Sequence, residues 1–358
     1  MPSEWPHVCL CFEWRSVYCR HLKSSSEEIT SIVTIAGTGV SGSGYDGVGK
    51  LATGAQLYRP CSVFVSSHDE VYISEEDIVK RILKIDRNGI ISTITGKECH
   101  DQLAVDSEFR YPYGLFVTDD DQVLFCDSGN DRIVKIGQQG MIITIAGNGT
   151  GGYNGDNQLA TKSSINGPTS VFMHKNEIYF TDRNNNRIRK IDRNGIMSTI
   201  AGTGEQGYNG DDQPATSAHL DAPDTLFVRN DEVYFTDREN FRIRKILSNG
   251  IIKTIAGTGV CGYNGDNILA VGAQISDSQG IFVDEHSQVF FVDGNRIRKI
   301  DQRGGLISTI VGTEEEGYSG DVPFDFKQFP HIGPKKVSIK PFPKACYDIS
   351  IKLLDQDY

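Results

Sequence analysis

Residues 179–202 read Tyr-Phe-Thr-Asp-Arg-Asn-Asn-Asn-Arg-Ile-Arg-Lys-Ile-Asp-Arg-Asn-Gly-Ile-Met-Ser-Thr-Ile-Ala-Gly, and residues 234–257 repeat 18 of these 24 positions without a gap. Shared composition does not produce that identity, so the chain is built from repeats, which have to be found before strands are assigned. The closing tetrad Thr-Ile-x-Gly ends at Gly37, Gly96, Gly147, Gly202, Gly257 and Gly312, with spacings of 59, 51, 55, 55 and 55. Each unit runs in one order: a Gly-rich loop, a short Ala-containing segment, a proline, then four apolar runs.

In the unit that begins near Gly147, the runs are 170–174, 177–181, 187–191 and 196–201. Runs of about five residues rich in Val, Ile, Phe, Tyr and Thr, separated by short turns, are strand signals. The turns are Lys175-Asn176, the stretch 183–186, and 192–195 with its Asn-Gly pair. Four antiparallel strands in about 55 residues make one blade of a β-propeller. A lone four-stranded meander buries too little surface, so neighbouring blades must cover its faces. The expected fold is all-β: a six-bladed β-propeller of four-stranded antiparallel blades. Residues 1–28 are expected to be an irregular leader, and residues 29–358 a single propeller whose last blade, about 313–358, is degenerate. Those 330 residues hold six units of 55. Only an outer-strand sequence, 29–35, precedes the first tetrad, and Pro334 follows the last glycine by 22 residues. The N-terminal strand is therefore expected to close the last blade and remove open sheet edges.

Composition narrows the function classes. The 38 glycines against 12 prolines in 358 residues fit a turn-rich chain, and a net charge of −11 makes nucleic acid an unlikely partner. No stretch reaches the roughly 18 apolar residues of a membrane span. Glu13 and Arg15 interrupt the apolar stretch at residues 8–12, so no signal-peptide core forms and a cytoplasmic location is expected. The eight cysteines share no repeated spacing and are read as free thiols.

The segment 179–191 and its copies at 234–246 and 290–300 resemble NHL-repeat β-propellers, over roughly residues 29–312. The Gly-Tyr-Asn-Gly-Asp loops mark a subtype whose functions are largely uncharacterised. The resemblance implies the fold. It leaves function open, because such propellers include protein-interaction modules, RNA-binding modules, sensor domains and a zinc-dependent lyase.

In an up-and-down blade the second-to-third turns and the blade-to-blade loops share one face. That face is expected to carry Tyr153, Asn154 and Asp156, then Tyr208, Asn209 and Asp211, then Tyr263, Asn264 and Asp266. It also carries a turn ring of Asp127 with Arg132, Asp182 with Arg187, Asp237 with Arg242, and Asp293 with Arg296. The loop Asn and Asp residues suit Asx-type turns, and each turn Asp can accept backbone bonds and pair with the Arg that follows. Calcium is a second reading of the loop aspartates, weakened because each loop offers one carboxylate where calcium takes six to eight oxygens. The pairs Arg189-Lys190 and Arg244-Lys245 read as long stems lying on neighbouring sheets with their heads in water. His68, His174 and His286 fall at first-to-second turns, on the opposite face. Cys9, Cys11, Cys19 and His21 match no usual zinc frame. No cofactor and no catalytic residue is therefore expected.

The function expected is a non-catalytic, monomeric protein-interaction scaffold that binds through the Gly-Tyr-Asn-Gly-Asp face. The alternatives are a metal-assisted hydrolase or lyase at the central pocket and, less favoured, nucleic-acid binding on one basic face.

Overall fold

The computed structural model describes residues 17–19, 33–38, 49–76, 80–95, 109–137, 140–301 and 305–313. A two-stranded sheet pairs β1 (Val17–Cys19) with β2 (Val33–Ala36). Blade one comprises β3 (Lys50–Leu51), β4 (Pro60–Val65), β5 (Val71–Glu75), β6 (Arg81–Ile85) and β7 (Ile90–Thr95). Blade two comprises β8 (Pro112–Val117), β9 (Val123–Asp127), β10 (Arg132–Ile136) and β11 (Ile142–Ala146). Blade three comprises β12 (Gln158–Leu159), β13 (Pro168–His174), β14 (Glu177–Asp182), β15 (Arg187–Ile191) and β16 (Ile196–Ala201). Blade four comprises β17 (Gln213–Pro214), β18 (Pro223–Arg229), β19 (Glu232–Asp237), β20 (Arg242–Ile246) and β21 (Ile251–Ala256). Blade five comprises β22 (Ile268–Leu269), β23 (Ile281–Val283), β24 (Val289–Asp293), β25 (Arg296–Ile300) and β26 (Leu306–Val311).

The propeller architecture stands, with corrections to its count. The described residues form five blades rather than six, and four of them have five strands rather than four. The added strand is the two-residue segment after each Gly-rich loop, which pairs outside the fourth strand, as Gln158 does with Met197. Residues 314–358, where the degenerate last blade was expected, lie outside the described residues. The expectation of an irregular leader gives way at Val17–Cys19, which is a strand; the rest of 1–28 is outside the described residues.

The N-terminal pair copies the outer half of a blade. Val17 pairs with Ala36, Tyr18 with Thr34 and Cys19 with Val33, with a register shift after Val17. In blade three Ile188 pairs with Ala201, Arg189 with Thr199 and Lys190 with Ser198, with the shift in the same place. Gly37 N donates to Ala52 O at 2.9 Å, as Gly202 N donates to Ala215 O at 3.0 Å. The strand β2 thus meets blade one as β16 meets blade four.

Local chemistry explains the strand ends. Pro60, Pro112, Pro168 and Pro223 open the innermost strands, a position where the missing N–H breaks no ladder bond. The β13–β14 turn places Lys175 and Asn176 at φ 51° and 62°, the two-residue geometry that matches strand twist. In the β15–β16 turn, Asp192 Oδ1 accepts from Asn194 N and Ile196 N at 2.8 and 2.9 Å. The core lies between blades: Ile188 and Ala201 of blade three pack in one cluster with Ala215, Leu220 and Phe235 of blade four. Burial of such clusters at about 25 cal/mol per Å² is what makes each blade depend on its neighbour. Among the described residues no helix is long and apolar enough to cross a membrane.

Candidate functional site

The second strand of each blade ends on an acid that is removed from solvent. Asp127, Asp182 and Asp237 are 0% exposed, and Asp293 1%. Buried carboxylates need donors, and the fold supplies them locally. Asp182 Oδ1 accepts from Asn166 N and Asn185 Nδ2 at 2.8 and 2.9 Å, while Oδ2 accepts from Arg189 Nη1 at 3.0 Å. Asp237 accepts from Asp221 N, Asn240 Nδ2 and Arg244 Nη1 at 2.8, 2.9 and 3.3 Å. Asp293 accepts from Ser276 N and Arg298 Nη1 at 2.6 and 3.0 Å.

The pairing expected with the first arginine of the third strand holds in blade two, where Arg132 Nε donates to Asp127 at 2.7 Å. In blades three to five the partner is instead the second arginine, Arg189, Arg244 or Arg298. These three are 0% exposed, which corrects the reading of Arg189 and Arg244 as stems with solvated heads. Strand alternation explains it: Arg187 and Arg189 share one face of β15, and the one nearer the blade centre reaches both the buried acid and the loop packed outside it.

That second reach organises the Gly-Tyr-Asn-Gly-Asp loops. Arg189 Nη2 donates to Gly155 O at 3.1 Å and to Asp156 Oδ1 at 2.9 Å, and the Thr199 hydroxyl donates to the same oxygen at 3.1 Å. Arg244 bonds Gly210 O and Asp211, and Arg298 bonds Gly265 O and Asp266, in the same way. Burial raises the Asp211 carboxyl, but its bonds from Arg244 and Thr254 outweigh this and hold it below its ordinary value. The asparagines close each loop on itself: Asn154 Oδ1 accepts from Ser164 N at 2.8 Å and its Nδ2 donates to Lys162 O at 3.2 Å. Asn209 and Asn264 repeat these bonds onto Ser217 O and Gly272 O.

The tyrosines are what the loops leave outward. Tyr153 is 42% exposed and Tyr208 39%. The guanidinium of Arg187 lies 3.9 Å from the Tyr153 ring centroid and that of Arg189 4.9 Å. Arg242 and Arg244 flank Tyr208 at 3.8 and 5.0 Å, and Arg296 and Arg298 flank Tyr263 at 3.9 and 4.9 Å. All six distances lie within cation–π range. Because the second arginine takes the buried acid, the first is freed to stack: Arg187 also bonds Asn185 O and Thr203 O. Asn185 Nδ2 donates to Gly152 O at 2.7 Å, so the second-to-third turn and the Gly-rich loop do meet on one face.

Sequence reasoning missed the clamp arginines, although a signal existed. The Gly-Tyr-Asn-Gly-Asp loop precedes the blades whose third strand reads Arg-Ile-Arg-Lys, while the corresponding segments of blades one and two read Arg-Ile-Leu-Lys and Arg-Ile-Val-Lys. Blade one also shows the shortened arrangement, with Arg81 bonded directly to buried Glu75. The loop aspartates are each engaged by one arginine and one threonine. Among the described residues no three His, Cys, Asp or Glu side chains are grouped to hold a metal ion. On the opposite face His68 meets Asp121 at 3.3 Å and His174 meets Asp231 at 3.0 Å, each joining neighbouring blades.

Burial, opposed by Arg244 and the hydrogen bonds to the carboxylate, pushes Asp237 up to about 6. Its folded value then lies above its unfolded one, so the native state holds the proton more tightly. This contribution to stability is fully present below about pH 4 and is lost as pH rises through about 6. Denaturant unfolding at pH 4, 5 and 6 is expected to show the wild type losing about 1–3 kcal/mol relative to Asp237→Asn across that window. Parallel pH profiles for the two proteins would contradict this assignment.

The chain is similar to NHL-repeat β-propellers in sequence and in fold. Within that class its similarity runs to teneurins: residues 259–330 match the teneurin NHL domain family. The chain is 30% identical to human teneurin-4 over 182 residues, 45% of this chain and 6% of that protein. It is 28% identical to chicken teneurin-1 over 243 residues, 61% of this chain and 9% of that protein. It thus spans less than a tenth of either relative. The bovine NHL repeat-containing protein 2 is 36% identical over 104 residues, 27% of this chain and 14% of that protein. Among solved structures, a chain of a nidogen/laminin complex superposes with a TM-score of 0.55 at 12% identity, covering 85% of this chain and 92% of that one. At that identity the likeness concerns the fold.

Proposed function

We propose that this propeller is a protein-interaction scaffold whose contact face carries the Gly-Tyr-Asn-Gly-Asp loops. The observation that supports this best is the row of tyrosines at 153, 208 and 263, one per successive blade, each flanked by two arginines that are themselves tied down. Tyrosine and arginine dominate binding hot spots, and a side chain already held in place loses little freedom on binding. A rigid scaffold presenting such loops is a common arrangement for recognition.

Replacing Tyr153, Tyr208 and Tyr263 together by serine is expected to reduce capture of partner protein from a lysate of the source cell at least tenfold. The melting temperature should stay within a few degrees, because the Arg–Asp clamps remain. Unchanged capture by the folded variant would remove this face from the account.

The same reading includes a closed ring of six blades. Its support is the register of β1 on β2, which repeats the outer pair of a blade down to the position of the shift. In a ring of this kind the N-terminal segment supplies the two outer strands of the sixth blade.

A further inference from the structure

Four of the five innermost strands carry a β-bulge next to an opening proline; the exception is β23. Register shifts fall between Pro60 and Ser62, between Tyr113 and Leu115, between Pro168 and Val171, and between Pro223 and Leu226. Bulges re-aim side chains and recur beside functional sites. Here they set the residue after each proline, Cys61, Tyr113, Thr169 and Asp224, against the central cavity, with Gln279 at the matching place in blade five. The surrounding strands are near copies of one another, yet these five residues are all different. Repeat packing alone gives no reason for that divergence.

The cavity has a volume of about 330 Å³, within the range of small-molecule sites. Three residues further along each inner strand, about 10 Å deeper, stand Phe64, Phe116, Phe172, Phe227 and Phe282. Their rings touch in succession at 5.1, 4.9, 4.7 and 5.1 Å between centroids, and Phe64, Phe172, Phe227 and Phe282 line the same cavity. The site is therefore apolar below and polar at its mouth.

The polar groups at the mouth are unequally satisfied. Arg59 is paired with Glu76 at 2.8 Å, and Glu76 also accepts from the Tyr113 hydroxyl. Arg238 bonds both oxygens of Asp277, which also accepts from Gln279 at 2.7 Å. The pair Arg183 and Asp224 is looser: Nε stands 3.5 Å from Oδ1, and this buried Nε makes no hydrogen bond. Asp224 is 9% exposed, and burial, opposed by Arg238 and Arg183, raises its carboxyl above the ordinary value. An unsatisfied donor, Arg183 Nε, thus stands beside the Asp224 carboxylate, whose shift also reflects a hydrogen bond from Thr169, above an aromatic floor.

We propose that the channel mouth binds a small uncharged amide bearing an apolar substituent, whose C=O accepts from Arg183, whose N–H donates to Asp224, and whose substituent lies on the phenylalanine belt. A carboxylate ligand would face Asp224, and an ammonium would face Arg183 and Arg238, so a neutral amide satisfies the pair better than either ion. The site is separate from the tyrosine row and does not depend on it.

The test is calorimetric titration of the full chain with N-acetyl-L-phenylalaninamide, alongside N-acetylglycinamide and 3-phenylpropanoate. Saturable binding of the first compound is expected, at least tenfold tighter than either comparison compound. It should weaken at least tenfold in Asp224→Ala and in Arg183→Met. Absence of saturable binding, equal affinity for 3-phenylpropanoate or N-acetylglycinamide, or unchanged affinity in both variants would overturn the proposal. The ligand comparison on the wild-type chain decides the matter even if a variant fails to fold.

Discussion

Arg244→Met is expected to destabilise the fold by about 3–5 kcal/mol, because it leaves a fully buried carboxylate without its cation. Arg244 is 0% exposed and ties Asp237, also 0% exposed, to Asp211 and to the carbonyl of Gly210. Methionine fills much of the same volume, so lost packing does not dominate the outcome. Asp211→Asn provides the contrast: that side chain is partly exposed at 25%, and the amide oxygen can still accept from Arg244 and Thr254, so a loss of about 1 kcal/mol is expected. Denaturant titration of the two variants should therefore separate them by several-fold in lost stability. Equal effects would mean that the arginine serves the loop alone and not the buried acid.

Gly257→Ala should cost roughly 2–5 kcal/mol, through strain and a backbone clash together. Gly257 closes one of the Thr-Ile-x-Gly tetrads with φ +98°, and a Cβ there would come within 2.2 Å of Phe241 O. Phe241 itself sits in the left-handed region at φ 48°, which turns its carbonyl toward the next blade-to-blade connection. The tetrad glycine is thus required by a close approach as well as by its dihedral. Gly250→Ala is a useful comparison: its φ is +81° but no atom lies within 4 Å of the added Cβ, so only the dihedral strain applies. Thermal unfolding should rank Gly257→Ala well below Gly250→Ala, and the reverse order would contradict the close-approach explanation.

Period, turn chemistry and the opening prolines made the blade legible in the sequence. The four runs predicted at 170–174, 177–181, 187–191 and 196–201 match β13 to β16 within two residues. Two features of the fold were hidden. The outermost two-residue strands, such as Gln158–Leu159, are too short to show any periodicity. Residues 17–19 lack the repeat's signature, and only their register on β2 reveals the pairing.

The candidate site was legible in its tyrosines and not in its electrostatics. Arg187 and Arg189 look interchangeable in sequence, but Arg189 is buried between two aspartates while Arg187 stacks on Tyr153. That distinction arises from what each side chain meets in three dimensions. The channel residues were overlooked for a related reason: attention to what repeats passes over Cys61, Tyr113, Thr169, Asp224 and Gln279, which are notable because they do not.

The proposed recognition face is the one that carries Tyr153, Tyr208 and Tyr263. Site-specific photo-crosslinking tests it most directly, with a benzophenone side chain placed singly at those three positions and, for comparison, at Asn176, Asn230 and Ser287 in the first-to-second turns. These turns lie at the opposite ends of the strands, on the other face. The three loop positions are expected to crosslink one common partner, and the opposite-face positions are not. Crosslinks confined to Asn176, Asn230 and Ser287, or equal from both faces, would contradict it.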